Sequence, residues 1–184
     1  IRKPKYLVLE DFQRPIDRDY LVKFLQWDES NAADWIDGKI LRPFCDDLAK
    51  RDLSVNAVEL GPKQRADIFN LVVECAAILQ MPVPKVYIKP EGHLNASAGG
   101  LVDPILMLDS RFLKPGWSDR QLRAVIGHEL GHIKCRHTKL QLLTELAVNH
   151  LPKALSPVLL LAQLKWSREA EMSADNAGMI CCQD

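Results

Sequence analysis

Two histidines four residues apart, in the run His128-Glu129-Leu130-Gly131-His132, constrain this chain more than any other feature. In an α-helix, positions i and i+4 lie on one face, about one turn apart. Both imidazoles then reach one ion at roughly 2.0–2.1 Å. Glu129 points about 100° away from His128 and cannot be a ligand from the same turn. It can sit beside a metal-bound water and take its proton, which is the chemistry this spacing offers. Ser118 followed by Gln121 is a capping box, which predicts a helix through His132 to about Arg136. Gly127 and Gly131 bracket the motif, although each glycine costs ~1 kcal/mol inside a helix. A local rule broken twice at one place indicates close packing or a functional site.

A metal site that keeps one position open needs a third protein ligand. His137 is one candidate, but on a continued helix it points about 140° away from His132, which suits a surface or supporting role. An extended three-histidine motif would also need glycine where Cys135 stands and histidine where Thr138 stands. His93, in a loop, and His150, after the motif, are further alternatives. Glu171 is the better candidate, in the run Ser167-Arg168-Glu169-Ala170-Glu171-Met172-Ser173-Ala174-Asp175. Glu171 and Asp175 are i and i+4, so both carboxylates leave the last helix on one side. One can bind the ion while the other accepts the N–H of a ligating histidine and fixes its tautomer. Glu169 falls on another face.

Hydrophobic residues make up 47% and charged residues 26%, the balance of a globular domain. Lys plus Arg number 24 against 24 Asp plus Glu, so nothing in the charge supports nucleic-acid binding. Five cysteines without a C-x-x-C spacing read as reduced thiols in a reducing compartment. No signal-peptide pattern is visible, and a start at Ile1 is expected of a fragment of a longer chain. The apolar stretch Leu140 to Trp166 carries Glu145, Asn149, His150, Pro152, Lys153 and Pro157, so it reads as two helices rather than a membrane hairpin.

Residues 1–52 read as an N-terminal helical extension, with one helix after Asp17 (Tyr20, Leu21, Phe24, Leu25) and another near 43–50. Trp35, Ile36, Ile40 and Leu41 would pack it down. The domain proper, 53–184, starts with a strand over LSVNAVEL and a helix carrying Ile68, Leu71, Val72 and Cys75, which MPVP stops. Strands at Lys85–Lys89 and Ile105–Asp109 flank a loop at 90–103, and a last helix covers about 158–180. This is an α+β order with a small sheet. Pro104 opens the strand 103–109, which suggests a sheet edge. An edge beside a metal can accept an extended peptide as one more strand. Ile105, Leu106 and Met107 would then pair with substrate, with Asn95, Ala96, Gly99 and Gly100 forming the cleft wall.

Taken together these residues resemble the HtpX-like zinc metallopeptidases, the gluzincin family that includes the type I CAAX prenyl protease. The resemblance runs from about residue 53 to 184. It rests on Asn95-Ala96 before Gly99-Gly100, on Leu122 through His132 with His137 following, and on Ser167-Arg168-x-x-Glu171-x-x-Ala174-Asp175 with Ala177-Gly178. It implies a zincin-like fold, Zn2+ on His128, His132 and Glu171, Glu129 as the base and Asp175 supporting a histidine. The implied activity is endopeptidase cleavage of unfolded or flexible polypeptides. Membrane association would come through segments outside this chain, with a location in the cytoplasm or at the cytoplasmic face of a membrane. Arg168 is a weak candidate for stabilising an oxyanion. Two departures stand out: Ser97 occupies a place where many relatives carry a bulky residue, and relatives continue past the last helix. A latent module with its cleft covered by 1–52 or 90–103, and a chaperone-like polypeptide-binding domain, are the alternatives.

Overall fold

The structure of the chain, a computed structural model, describes residues 8–28, 53, 56–90, 94–100, 103–141 and 156–182. The helix expected near 43–50, Trp35, Ile36, Ile40, Leu41, His93 and His150 lie outside the described residues. The elements are α1 (Pro15–Asp28), β1 (Val58–Leu60), α2 (Ala66–Ile78), β2 (Lys85–Lys89), β3 (Ala96–Gly99), β4 (Ile105–Asp109), α3 (Asp119–Lys134) and α4 (Ser156–Cys181). The fold is α+β, as expected.

Local chemistry sets most boundaries. Pro15 opens α1, where its missing N–H costs nothing. In α2 the buried positions Ile68, Leu71, Val72, Cys75 and Ala76 repeat at helical spacing. Past its end Gln80 takes a left-handed φ of 51°, and the prolines of the next segment cannot continue the ladder. The expected strand over LSVNAVEL is shorter than the sequence suggests. Leu53 and Asn56 are helical, with the Ala57 N–H bonded to the Leu53 carbonyl, and only Val58–Leu60 is extended.

The four strands are ordered β1-β2-β4-β3. β1 pairs antiparallel with β2, β2 parallel with β4, and β3 antiparallel with β4. This corrects the expected substrate strand. Ile105, Leu106 and Met107 face Lys85, Val86 and Tyr87 on one side, and Gly99, Ala98 and Ser97 on the other. Both flanks of β4 are occupied, so these three residues have no free edge to offer a peptide. Pro104 precedes the ladder: its carbonyl accepts from the Lys85 N–H, and its missing donor falls outside the paired residues. The proline marks a strand start, which a central strand tolerates. The expected 90–103 loop in turn contains β3. Its sequence, Ala-Ser-Ala-Gly, lacks the branched and aromatic residues that signal a strand.

Sheet residues Val86, Leu106 and Leu108 share one core with Ile68 and Val72 of α2, Ile126 and Leu130 of α3, and Ala177 and Cys181 of α4. Each fully buried Ile or Leu stabilises by roughly 1.5–3 kcal/mol. Helices α3 and α4 meet along a seam of small residues. A Cβ at Gly127 would lie 2.7 Å from the Cys181 Cβ, and one at Gly131 would lie 2.8 Å from the Ala177 Cβ. Only hydrogen fits at either place, which accounts for both glycines of the motif.

The N-terminal segment joins the same body. Phe12, Gln13 and Asp17 are buried. The Arg14 N–H donates to Ser173 Oγ, Asn176 Nδ2 donates to the Phe12 carbonyl, and Tyr20 stacks on Trp166. Among the described residues no helix is long and apolar enough to cross a membrane. Cys75, Cys135 and Cys181 are buried free thiols.

Candidate metal centre

Helix α3 starts as its capping box requires: Ser118 Oγ accepts the Gln121 N–H, and Gln121 Oε1 accepts the Ser118 N–H. The helix brings the two motif histidines together, Nε2 to Nε2, at 3.1 Å. Across the glycine seam, α4 delivers Glu171. Its Oε2 lies 3.4 Å from His128 Nε2 and its Oε1 lies 3.6 Å from His132 Nε2. An ion bound tetrahedrally at 2.0–2.1 Å separates its ligand atoms by about 3.3–3.4 Å. The imidazole pair and the distance from each Glu171 oxygen to its nearer imidazole fall around that edge length, so a small turn of the carboxylate would bring one oxygen to both rings. Two imidazoles and one carboxylate are also a donor set that suits zinc.

The groups behind the two imidazoles fix their orientation. His128 Nδ1 is 2.9 Å from Asp175 Oδ1, so it donates there and leaves the Nε2 lone pair facing Glu171. His132 Nδ1 is 2.8 Å from Nδ1 of His137. His137 is therefore a buried supporting residue, not a surface one. The reason is that α3 does not continue to it. The helix ends at Lys134, and Arg136 turns the chain with a left-handed φ of 59°, carrying His137 back beneath His132. Burial, and then the neighbouring imidazoles of His137 and His128, push the His132 pKa down to about 3. That keeps the ring neutral, as a ligand must be.

Sequence reasoning missed Asp17. It lies on α1, is fully buried, and its Oδ2 is 2.9 Å from His137 Nε2. One acidic residue among 24 carries no mark of this role. With Cys135 and His137 it makes a second group of possible ligands. That group does not suit a cation. Trp166 Nε1, Gln13 Nε2 and His137 Nε2 all aim at the Asp17 carboxylate, and burial pushes the Cys135 thiol up.

Glu129 is buried on the side of α3 that faces β3. Burial raises its carboxyl above the ordinary range, partly offset by the His128 imidazole and the Ala98 N–H. The Asn95 carbonyl accepts the Asp109 N–H, so by alternation Ser97 and Gly99 also face β4. Ala96 and Ala98 then turn their main-chain groups outward, toward α3. A cavity of about 970 Å³ opens beside His128 and Glu129, walled by Asn95, Ala96, Phe112, Trp117, Val125 and Met179. A second of about 350 Å³ runs past Ser97, Ala98, His132 and Glu171. Gly99 and Gly100 border a third space with His132. Gly100 has φ 77°, and a Cβ there would meet the Asp103 carbonyl, so glycine is required. Ile105, Leu106 and Met107 line none of these spaces, and Arg168 is exposed away from them.

A helix presenting two histidines and an acid, completed by a carboxylate from a second helix, defines the class of metal-dependent hydrolases. The model of peptidase family M48 matches residues 62–184, and the chain belongs to that metallopeptidase family. The plastoglobule-localized metallopeptidase 48 of Arabidopsis thaliana is 29% identical over 138 residues, 70% of this chain and 39% of that protein. The protease HtpX homologs of Streptococcus uberis and Methylibium petroleiphilum are 35% identical over 79 and 83 residues. Those stretches are 42% and 44% of this chain, but 27% and 29% of the relatives. The chain thus spans well under half the length of these curated relatives. The HtpX-like resemblance read from the motifs agrees with these matches. No solved structure matches the chain.

Proposed function

We propose that this chain is the catalytic domain of a zinc-dependent endopeptidase acting on unfolded or flexible polypeptides. The carrying observation is the convergence of His128, His132 and Glu171 within reach of one ion, with Glu129 lining the same cavity. Zinc held there would supply Lewis acidity, lowering the pKa of water and polarising a peptide carbonyl. Glu129 accepts the proton of the attacking water and hands it to the departing amine. The Ala98 N–H holds that carboxylate in place. Asp175 keeps the His128 lone pair aimed at the metal.

Substrate is proposed to lie along the outward edge of β3, pairing its main chain with Ala96 and with the Ala98 carbonyl, since the Ala98 N–H is held by Glu129. This replaces β4 as the template, and recognition through the main chain gives loose sequence preference. The cavity of Phe112, Trp117, Val125 and Met179 suits a bulky apolar side chain next to the scissile bond.

The test is Glu129→Gln, assayed on unfolded casein with and without chelator. The variant should retain zinc, because Glu129 is not a ligand, and lose hydrolysis, because the amide cannot accept the proton. Retained cleavage would sink the mechanism. Zinc-loaded wild-type chain without cleavage would favour a latent module, and casein binding without zinc dependence a chaperone.

A further inference from the structure

We propose that Asp17, contributed by the N-terminal segment, is a positioning residue of the metal centre, acting through His137 on His132. This inference rests on the zinc reading above. The family model matches only residues 62–184, so Asp17 is brought to the site by a part of the chain outside that match. A metal on His132 Nε2 leaves the ring proton on Nδ1. That proton points at His137 Nδ1, 2.8 Å away, which must then be a bare acceptor. The His137 proton sits on Nε2, 2.9 Å from Asp17 Oδ2. The chain of bonds has one consistent direction, and it ends on a group that must accept.

Asp17 is suited to that end because both its oxygens only receive. Oδ2 takes His137 Nε2–H and Gln13 Nε2–H, while Oδ1 takes the Trp166 Nε1–H at 2.9 Å. An amide of the same shape has one acceptor, not two. In Asp17→Asn, an NH2 must face either His137 or Trp166. If it faces His137, that ring moves its proton to Nδ1, and His132 is left to carry its own on Nε2, where the metal would bind. If it faces Trp166, two buried donors collide. A carboxylate serving only to pack α1 against α4 would not couple to the metal in this way.

The test is zinc affinity of the full chain, read by competition with a fluorescent chelator. Asp17→Asn should raise the zinc dissociation constant about 10–100-fold while circular dichroism shows the helices intact. Adding Trp166→Phe removes the donor at Oδ1 and lets the amide turn its oxygen to His137, so the double variant should regain most of the affinity. Wild-type affinity in Asp17→Asn, or no recovery in the double variant, would overturn the proposal. Should the variants not fold, imidazole nitrogen NMR of the zinc-loaded wild-type chain decides. Protons on His132 Nδ1 and His137 Nε2 support the relay, and the reverse placement overturns it. Absence of zinc binding in the wild type would instead refute the zinc reading.

Discussion

Behind the two motif histidines stand two aspartates in opposite surroundings. The Asp175 side chain is 68% exposed, and it meets His128 Nδ1 at 2.9 Å. Asp17 is fully buried and reaches His132 only through His137. The difference predicts how each fails. Asp175→Ala removes an exposed carboxylate whose pairing contributes ~0–1 kcal/mol to stability. It also frees the His128 ring to adopt the wrong tautomer, which lowers metal affinity by about 10–100-fold. Zinc titration and a thermal melt on the same sample check this: affinity should fall while the melting temperature barely moves. Unchanged zinc affinity would make Asp175 an ordinary surface carboxylate. Asp175 was legible in the sequence because it stands one turn after Glu171. Asp17 was not, because no spacing rule links two residues that lie 120 positions apart and are joined only by packing.

At the scale of elements, the proposed metal ligands come from two helices, and the distance between those helices is set by hydrogen atoms. Gly127, Gly131 and Gly178 let the α3 and α4 backbones approach until Glu171 reaches both imidazoles. Gly131→Ala would gain ~1 kcal/mol in helix propensity. Its new methyl would lie 2.8 Å from the Ala177 Cβ and 3.1 Å from the Ala174 Cα, and neither has a rotamer to move. Overpacking of this kind costs ~1–3 kcal/mol. The expected outcome is a lower denaturation midpoint together with weaker zinc binding, since parting the helices withdraws Glu171. A variant more stable than wild type would show that the seam is looser than its geometry. The two glycines were visible in the sequence as broken helix rules, and close packing was one of the two meanings they allowed. The strands were less legible. β3 is built of small residues whose place in the sheet is decided by pairing with β4 rather than by propensity. Pro104 pointed to an edge when it marked only a beginning.

For the molecule as a whole, the boundary between extension and domain is where sequence pattern and packing part company. Hydrophobic periodicity changes near Leu53, and the family model starts at residue 62. Yet the core and the surroundings of the proposed metal centre draw on residues 12–17. Phe12 belongs to the central apolar cluster, Arg14 and Asn176 tie the segment to α4, and Asp17 satisfies buried donors on His137 and Trp166. A chain cut to 53–184 therefore loses more than a tail. Exposing the surface under Phe12 forfeits roughly 1.5–3 kcal/mol. Each donor left without Asp17 costs ~1–3 kcal/mol, less whatever water entering the vacated groove restores. Against a total stability of about 5–15 kcal/mol, a loss of ~3 kcal/mol is a substantial part. With a urea slope of ~2 kcal/mol per molar, the midpoint should fall by ~1.5 M. Urea melts of the full chain and of 53–184, both metal-free, make the comparison without any contribution from bound zinc. Equal midpoints and equal slopes would show that the N-terminal segment rests on a domain that is complete without it.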